Sequence, residues 1–231
     1  MGIMEEKLEI VLQENDFIND NISMFAISKY LQDIASSHAY NLGVGYEKLL
    51  EKNLYWVLSK LRIDILKTPK VNDKLTLITW PHDGARVDCH REFALINENN
   101  EIVIKALEKW LTIDMHTYHI IPAKNIAFPG SYKKESNYLN PKDVFEKIDI
   151  LETGQEMSTY QIQPIDIDGN NHTNNTRYLL MSEKYLPSNI NSLQIDFVNQ
   201  SFFNDTITIY KENDIVYGKC NDKIIYKIQI K

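Results

Sequence analysis

The feature that most limits the fold is a repeat. Residues 61–78, LRIDILKTPKVNDKLTLI, align without a gap against residues 193–210, LQIDFVNQSFFNDTITIY. Leu61/Leu193, Ile63/Ile195, Asp64/Asp196, Asn72/Asn204, Asp73/Asp205 and Thr76/Thr208 are identical at a constant offset of 132. Amphipathic strand patterns recur cheaply, so one such match carries little weight. A second, SKYL at 28–31 against TRYL at 176–179, lies in the same order at an offset of 148. Two collinear matches favour an internal duplication.

The patterns around these segments define the elements. Met24, Ile27, Leu31, Ile34, Ala35, His38 and Leu42 recur at helical spacing, with Asp20 or Asn21 as the expected cap and Gly43 as the stop. Four β-rich runs follow, WVLSKLRIDIL, KLTLITW, VDCHREFALIN and EIVIKALEKWLTID, joined by turns such as NENNE. Residues 115–147 contain three prolines and lose any period. The pattern then restarts: STYQIQPIDI reads as a strand, TRYLLMSEKYL as a helix ending at Pro187, and SLQIDFVN, DTITIYKE, DIVYGKC and KIIYKIQIK as strands. The expectation is an α+β chain of two antiparallel sheets, each wrapped around one long helix. Its parts are an N-terminal unit over 1–130, a linker over 131–147 and a C-terminal unit over 148–231.

Composition narrows the function. A formal net charge of −7 opposes a general nucleic-acid role, which needs clustered Lys and Arg. No run of about 18 apolar residues is present, and the acidic start MGIMEEKLEIVLQEND does not read as a secretory signal, so a cytoplasmic protein is expected. Cys89 and Cys220 lack CxxC spacing and read as free thiols. No G-x-S-x-G, GxGxxG or GxxxxGK[ST] motif occurs.

One stretch carries chemistry: DIDGNNHTNNTRYLL, residues 166–180. At the helix offset of 148, Asp168 falls opposite Asp20, Asn170 opposite Ile22 and His172 opposite Met24. The first copy lacks the Asn and His, which argues that they do something other than hold the fold. His172 precedes the helix expected from Asn174 or Asn175, where free N–H groups and the positive end of the dipole would stabilise a developing oxyanion and keep the imidazole neutral. Asp168 could activate or orient a water, and Asn170 offers both a donor and an acceptor to position it. A calcium loop counted from Asp166 would need Gly at position six and Glu at twelve, where Asn171 and Arg177 stand. A lone histidine does not make a zinc site. An Asn-rich cap on a turn stays open on composition alone. His38 reads as a satisfied core or interface histidine. His82, His90, His116 and His119 lack partner spacing. Trp56, Trp80 and Trp110 fit either a core or an apolar pocket.

Asp168-x-Asn170-x-His172, then Asn174-Asn175 and Tyr178, resembles the D-x-N-x-H-x-N-N-x-x-Y signature of acyl-acyl carrier protein thioesterases. YLQDIASSH (30–38), Trp56-x-Leu58, TWP (79–81) and WLTID (110–114) resemble that family's N-terminal unit in the same order. The resemblance implies a tandem hot-dog fold and release of fatty acid from acyl carrier protein, with no cofactor and no metal. It makes Asp168, Asn170 and His172 catalytic and gives the acyl pocket to the N-terminal unit. Where the family carries a glutamate after the catalytic helix, the sequence has Gln200, followed by Ser201. A glutamine cannot act as general base, so activation falls to Asp168 or His172 while Gln200 orients the water.

Acyl-CoA hydrolysis and enoyl-thioester hydration are the competing reactions, and the products from substrates with and without a 2,3-double bond separate hydration from hydrolysis. An acyl-thioester sensor with a DNA-binding module lacks a basic helix here. Docking of an acidic carrier protein needs basic residues, for which Lys67, Lys70, Lys133 and Lys134 are candidates. Neither a membrane nor nucleic acid is expected as partner, and a homodimer is left open. If Gln200 only orients water, Gln200→Glu changes kcat by less than about a hundredfold, against the 10²–10⁴-fold of a restored base; a larger gain in steady-state kinetics would show that the natural chain lacks its base.

Overall fold

The computed structural model describes residues 5–82, 87–122, 126, 137, 144–151 and 153–231. The first copy contributes β1 (Glu6–Val11), β4 (Leu54–Ile65), β5 (Lys74–Pro81), β6 (Asp88–Asn97) and β7 (Ile102–Asp114). The second contributes β9 (Gln155–Gln161), β10 (Ser192–Phe197), β11 (Thr206–Glu212), β12 (Ile215–Cys220) and β13 (Lys223–Ile230). The order across the sheet is β1-β5-β6-β7-β4-β10-β13-β12-β11-β9, with β8 (Ile120–Ile121) added beside β7. Five strands therefore run outward in matching order on either side of a β4–β10 seam.

That seam corrects the expectation of two sheets. Periodicity identifies strands but not which edges meet, and here the two open edges satisfy one another by antiparallel pairing. The register places Leu61 opposite Ile195, Arg62 opposite Gln194 and Ile63 opposite Leu193. At the offset of 132, Arg62 therefore faces its own counterpart, and the duplicated pairs cross over about it. All four flanking aliphatics are buried. The duplicated acids do equivalent work: Ser192 Oγ donates to Asp64 Oδ1 at 2.6 Å, and Lys60 is ion-paired to Asp196.

The two copies differ most in their helices. α1 spans Met24–Asn41, close to the expected range, and Gly43 takes the left-handed φ of +71° beyond its end. Its cap is Ser23 rather than Asp20 or Asn21; Ser23 Oγ accepts from the Ala26 N–H. Glu183 from the second copy also closes this N-terminus, accepting from Ser23 Oγ at 2.9 Å and from the Met24 N–H at 2.5 Å. α2 (Tyr46–Leu50) is a short helix. α3 covers only Asn175–Ser182 and relaxes into a 3-10 turn over Glu183–Tyr185, so the second helix is not long. The strand expected from STYQIQPIDI stops at Gln161, and Pro164, which has no N–H for a ladder, opens a 3-10 turn.

One apolar cluster runs through both copies, joining Ile27 and Leu31 of α1 to Leu179 of α3, Ile63 of β4 and Ile207 and Ile228 of the second half. Cys89 and Cys220 are buried and free. Among the described residues, no helix is long and apolar enough to cross a membrane. Most of 131–147, including Lys133 and Lys134, lies outside the described residues. Because core and sheet cross the seam, Ile195→Ala should cost about 2–5 kcal/mol and lower one shared transition. Denaturant unfolding followed by near-UV and far-UV signals checks this: two separated transitions would mean that the halves fold independently.

Candidate active site

The site is built on a loop that both copies share in outline. In each, a 3-10 turn is closed by a buried acid: Asp16 Oδ2 accepts from the Gln13 N–H and Tyr30 OH, and Asp166 Oδ2 from the Gln163 N–H and Tyr160 OH. A two-residue pairing follows. In the first copy β2 (Phe17–Ile18) meets β3 (Asn21–Ile22) with Phe17 opposite Ile22; in the second, Ile167 bridges Thr173. Each chain then enters its helix cap, Ser23 or Asn174. Asp166, first acid of the motif, is thus a fold residue.

This correspondence replaces the expected alignment. Cap to cap the offset is 151, so His172 lies opposite Asn21, not Met24. From Phe17/Ile167 forward, Asp168 lies opposite Ile18, not Asp20, and the second loop is one residue longer. The SKYL/TRYL match was displaced by three residues, close to one helical turn, which is why its apolar pattern still fitted. Only part of the conclusion drawn from it survives: no carboxylate stands opposite Asp168 and no histidine opposite His172, but Asn170 now falls opposite Asp20 or Asn19, so an asparagine there is not peculiar to the second copy.

Within the loop, Asp168 Oδ1 accepts from the Asn170 N–H at 2.8 Å and the His172 N–H at 3.3 Å, and the Asp168 N–H donates to the His172 carbonyl. The carboxylate therefore shapes the turn that presents both other residues. Asn171 completes it at φ +61°, a conformation asparagine tolerates better than most side chains. The His172 ring stands edge-on to Phe202 at 5.3 Å between centroids. Burial pulls its pKa below the usual 6.5, with Asp168 opposing. Burial thus favours the neutral ring.

The floor of the loop comes from beyond β10. Ser201 is fully buried; its carbonyl accepts from the Thr173 N–H, and its hydroxyl bonds to Thr173 Oγ1 at 2.8 Å and Tyr178 OH at 2.9 Å. Tyr178 also stacks on Tyr226. The final Tyr of the signature therefore ties helix, loop and sheet together. Gln200, one residue earlier, is exposed and lies near Tyr55 of β4, and both border a shared cavity. At the α3 N-terminus the Asn174 N–H is taken by the Asp166 carbonyl, the Thr176 N–H by Asn174 Oδ1 and the Arg177 N–H by the Asn174 carbonyl.

Asp168, Asn170, His172 and Gln200 all border one cavity of about 700 Å³. It runs into the first copy, where Trp56, Trp110 and Leu58 line it. Trp80 instead lies in the core. His38 is buried, with its Nδ1 accepting from Arg91 Nη1 at 3.1 Å, which makes it a satisfied core histidine. Lys67 is paired with Glu101 at 2.6 Å on the surface. Among the described residues, no group of three or more His, Cys, Asp or Glu converges to hold a metal ion.

Sequence reasoning missed Tyr55 and the role of Ser201, which reach the loop only through tertiary pairing. It also missed Arg91 and Glu108 in the cavity wall. For these a signal existed: Cys89, Arg91, Phe93 and Leu95 share one strand face, as do Ile104, Ala106 and Glu108, so period two places both charges inward.

A hot-dog type α+β fold with this loop over an apolar cavity defines the class, and comparison with known proteins names it. Residues 3–125 match the acyl-ACP thioesterase N-terminal domain and residues 151–229 the acyl-ACP thioesterase C-terminal domain; the chain belongs to the acyl-ACP thioesterase family. Oleoyl-acyl carrier protein thioesterase 2, chloroplastic, of Arabidopsis thaliana is 25% identical over 197 residues, which is 75% of this chain and 51% of that protein. The chain spans about half the length of the curated relatives it matches. The fold is shared with an acyl-ACP thioesterase from Bacteroides thetaiotaomicron (TM-score 0.84, 22% identity, 98% of this chain and 97% of that one). It is shared too with the 12:0-ACP thioesterase from Umbellularia californica (TM-score 0.83, 13% identity, 100% and 98%).

With its folded pKa lowered, His172 contributes stability that is present in full above 6.5 and lost as pH falls through the depressed midpoint. Ring-proton shifts against pH should show a midpoint below 6.5, and Asp168→Asn should lower it further by removing the opposing charge. A midpoint at or above 6.5 in the wild type contradicts this.

Proposed function

We propose that the chain hydrolyses the thioester of acyl groups carried on acyl carrier protein and releases free fatty acid, acting in the cytoplasm. The observation that carries the reading is the convergence of Asp168, Asn170, His172 and Gln200 on one cavity with an apolar interior. We take the chain as two hot-dog units, 1–130 and 148–231, joined through 131–147, the first housing the acyl chain and the second the chemistry.

In this reading the acyl chain enters the cavity and its carbonyl rests beside the loop. Asn170 and the Gln200 amide hold a water, with Tyr55 beside the latter. His172, kept neutral by burial, takes a proton as the water oxygen bonds to the carbonyl carbon. Asp168 fixes the turn and steadies the imidazolium. The oxyanion is stabilised at the α3 N-terminus, where the Asn175 N–H is the amide of the first turn without a partner among the described residues. Collapse breaks the C–S bond, and the sulfur leaves as a thiol with the imidazolium proton. The carrier protein is met by basic residues, for which the sequence offers Lys67, Lys70, Lys133 and Lys134.

Wild type should release fatty acid from acyl-acyl carrier protein, and His172→Ala should lower kcat by about 10²–10⁴-fold. The assay is free thiol release across a panel of acyl chain lengths. No cleavage at any length by wild type ends the proposal, and full activity of His172→Ala removes His172 from the chemistry.

A further inference from the structure

The cavity wall has one feature that an apolar chain does not need. The strand registers draw a straight row across five strands: Ile195, Leu61, Glu108, Arg91 and Pro81. Of these, Leu61, Glu108, Arg91 and Pro81 border the cavity. Arg91 is 7% exposed and Glu108 2%. The strand that leads to Gln200 and the strand that carries Arg91 are three spacings apart, roughly 14 Å at ~4.8 Å each, the reach of a medium-length acyl chain.

Both charged groups are held in place. Arg91 Nη1 donates to His38 Nδ1 and, at 3.2 Å, to Thr79 Oγ1. Glu108 Oε2 accepts from Trp110 Nε1 at 2.8 Å. Burial pushes the Glu108 carboxyl up to about 7 and pulls the Arg91 guanidinium down to about 10, although each attracts the other. The pair therefore holds two charged side chains at the cavity wall with little access to water. A hydrocarbon end pressed onto it would strip its remaining solvation without returning a hydrogen bond.

We propose that the Arg91–Glu108 cross-strand pair is a polar stretch of the acyl cavity's wall and limits the length of chain that the cavity accepts. The chain-length role rests on the thioesterase reading, but the wall is a property of the cavity and can be tested without the reaction. Apolar groups of similar volume often replace buried charges that face one another without loss of fold, whereas removing one partner is harmful, so the test is the double variant Arg91→Met/Glu108→Leu.

The experiment measures displacement of a fluorescent fatty acid by straight-chain saturated fatty acids of increasing length, in parallel with hydrolysis of the matching acyl-acyl carrier proteins. Wild type should show a sharp loss of affinity beyond one length. The folded double variant, checked by thermal unfolding, should bind chains two carbons longer at least about tenfold more tightly than wild type does. Wild type alone gives a second reading: just beyond the cut-off, an ω-hydroxy fatty acid should bind more tightly than the methyl-ended chain with the same number of heavy atoms. A cut-off that the double variant leaves in place, or no preference for the hydroxyl end, overturns the wall. A cut-off that moves in binding while no acyl thioester is cleaved at any length keeps the wall and ends the thioesterase reading.

Discussion

The antiparallel pairing of β4 with β10 is the contact on which the rest depends. It joins two five-strand copies into one sheet, buries Leu61, Ile63, Leu193 and Ile195 on its line, and lets one apolar cluster extend through both halves. It also lets a cavity begin at a loop of the second copy and end in the first. Without the seam, Tyr55 and Gln200 would not border one cavity, and Glu183 could not close the N-terminus of α1.

Around that seam the copies keep the same supporting turn but have diverged in the loop that follows it. Asp16 and Asp166 do the same local work, each closing a 3-10 turn against a tyrosine hydroxyl and a backbone N–H. Immediately beyond them the first copy pairs two short strands, Phe17–Ile18 with Asn21–Ile22, while the second is longer by one residue and sets Asp168 and His172 at the cavity. The first copy keeps the longer helix and supplies most of the apolar wall. A buried hydroxyl, Ser201, then fixes the altered loop to α3 and to the segment after β10.

Much of this was legible in residue order. The span of α1 followed from apolar spacing, most strands from alternation, and the site from a motif dense enough to carry a resemblance. Less local features were hidden. The cap of α1 is shared between Ser23 and a glutamate 160 residues away. The brevity of α3 is invisible where TRYLLMSEKYL keeps an apolar rhythm past the point at which the chain tightens into a 3-10 turn. The helix match misled because a slip of nearly one turn preserves the buried face. Whether two sheets would stay apart or merge depends on edge pairing, which hydrophobic period does not encode.

The seam has a further meaning. A strand pair centred on a residue and its own counterpart, Arg62 facing Gln194, has the geometry of a two-fold interface between identical subunits. In such a dimer the residue on the axis must meet itself, and an arginine there would face another arginine. Carrying both copies on one chain lifts that rule. Arg62 can pair with Asp64 while Gln194 donates to Asp196 and to the Glu146 carbonyl. The same release from symmetry lets the equivalent loops differ, so that Asp168 and His172 border the cavity from one copy while Ile18 and Asn21 stand at the matching places of the other.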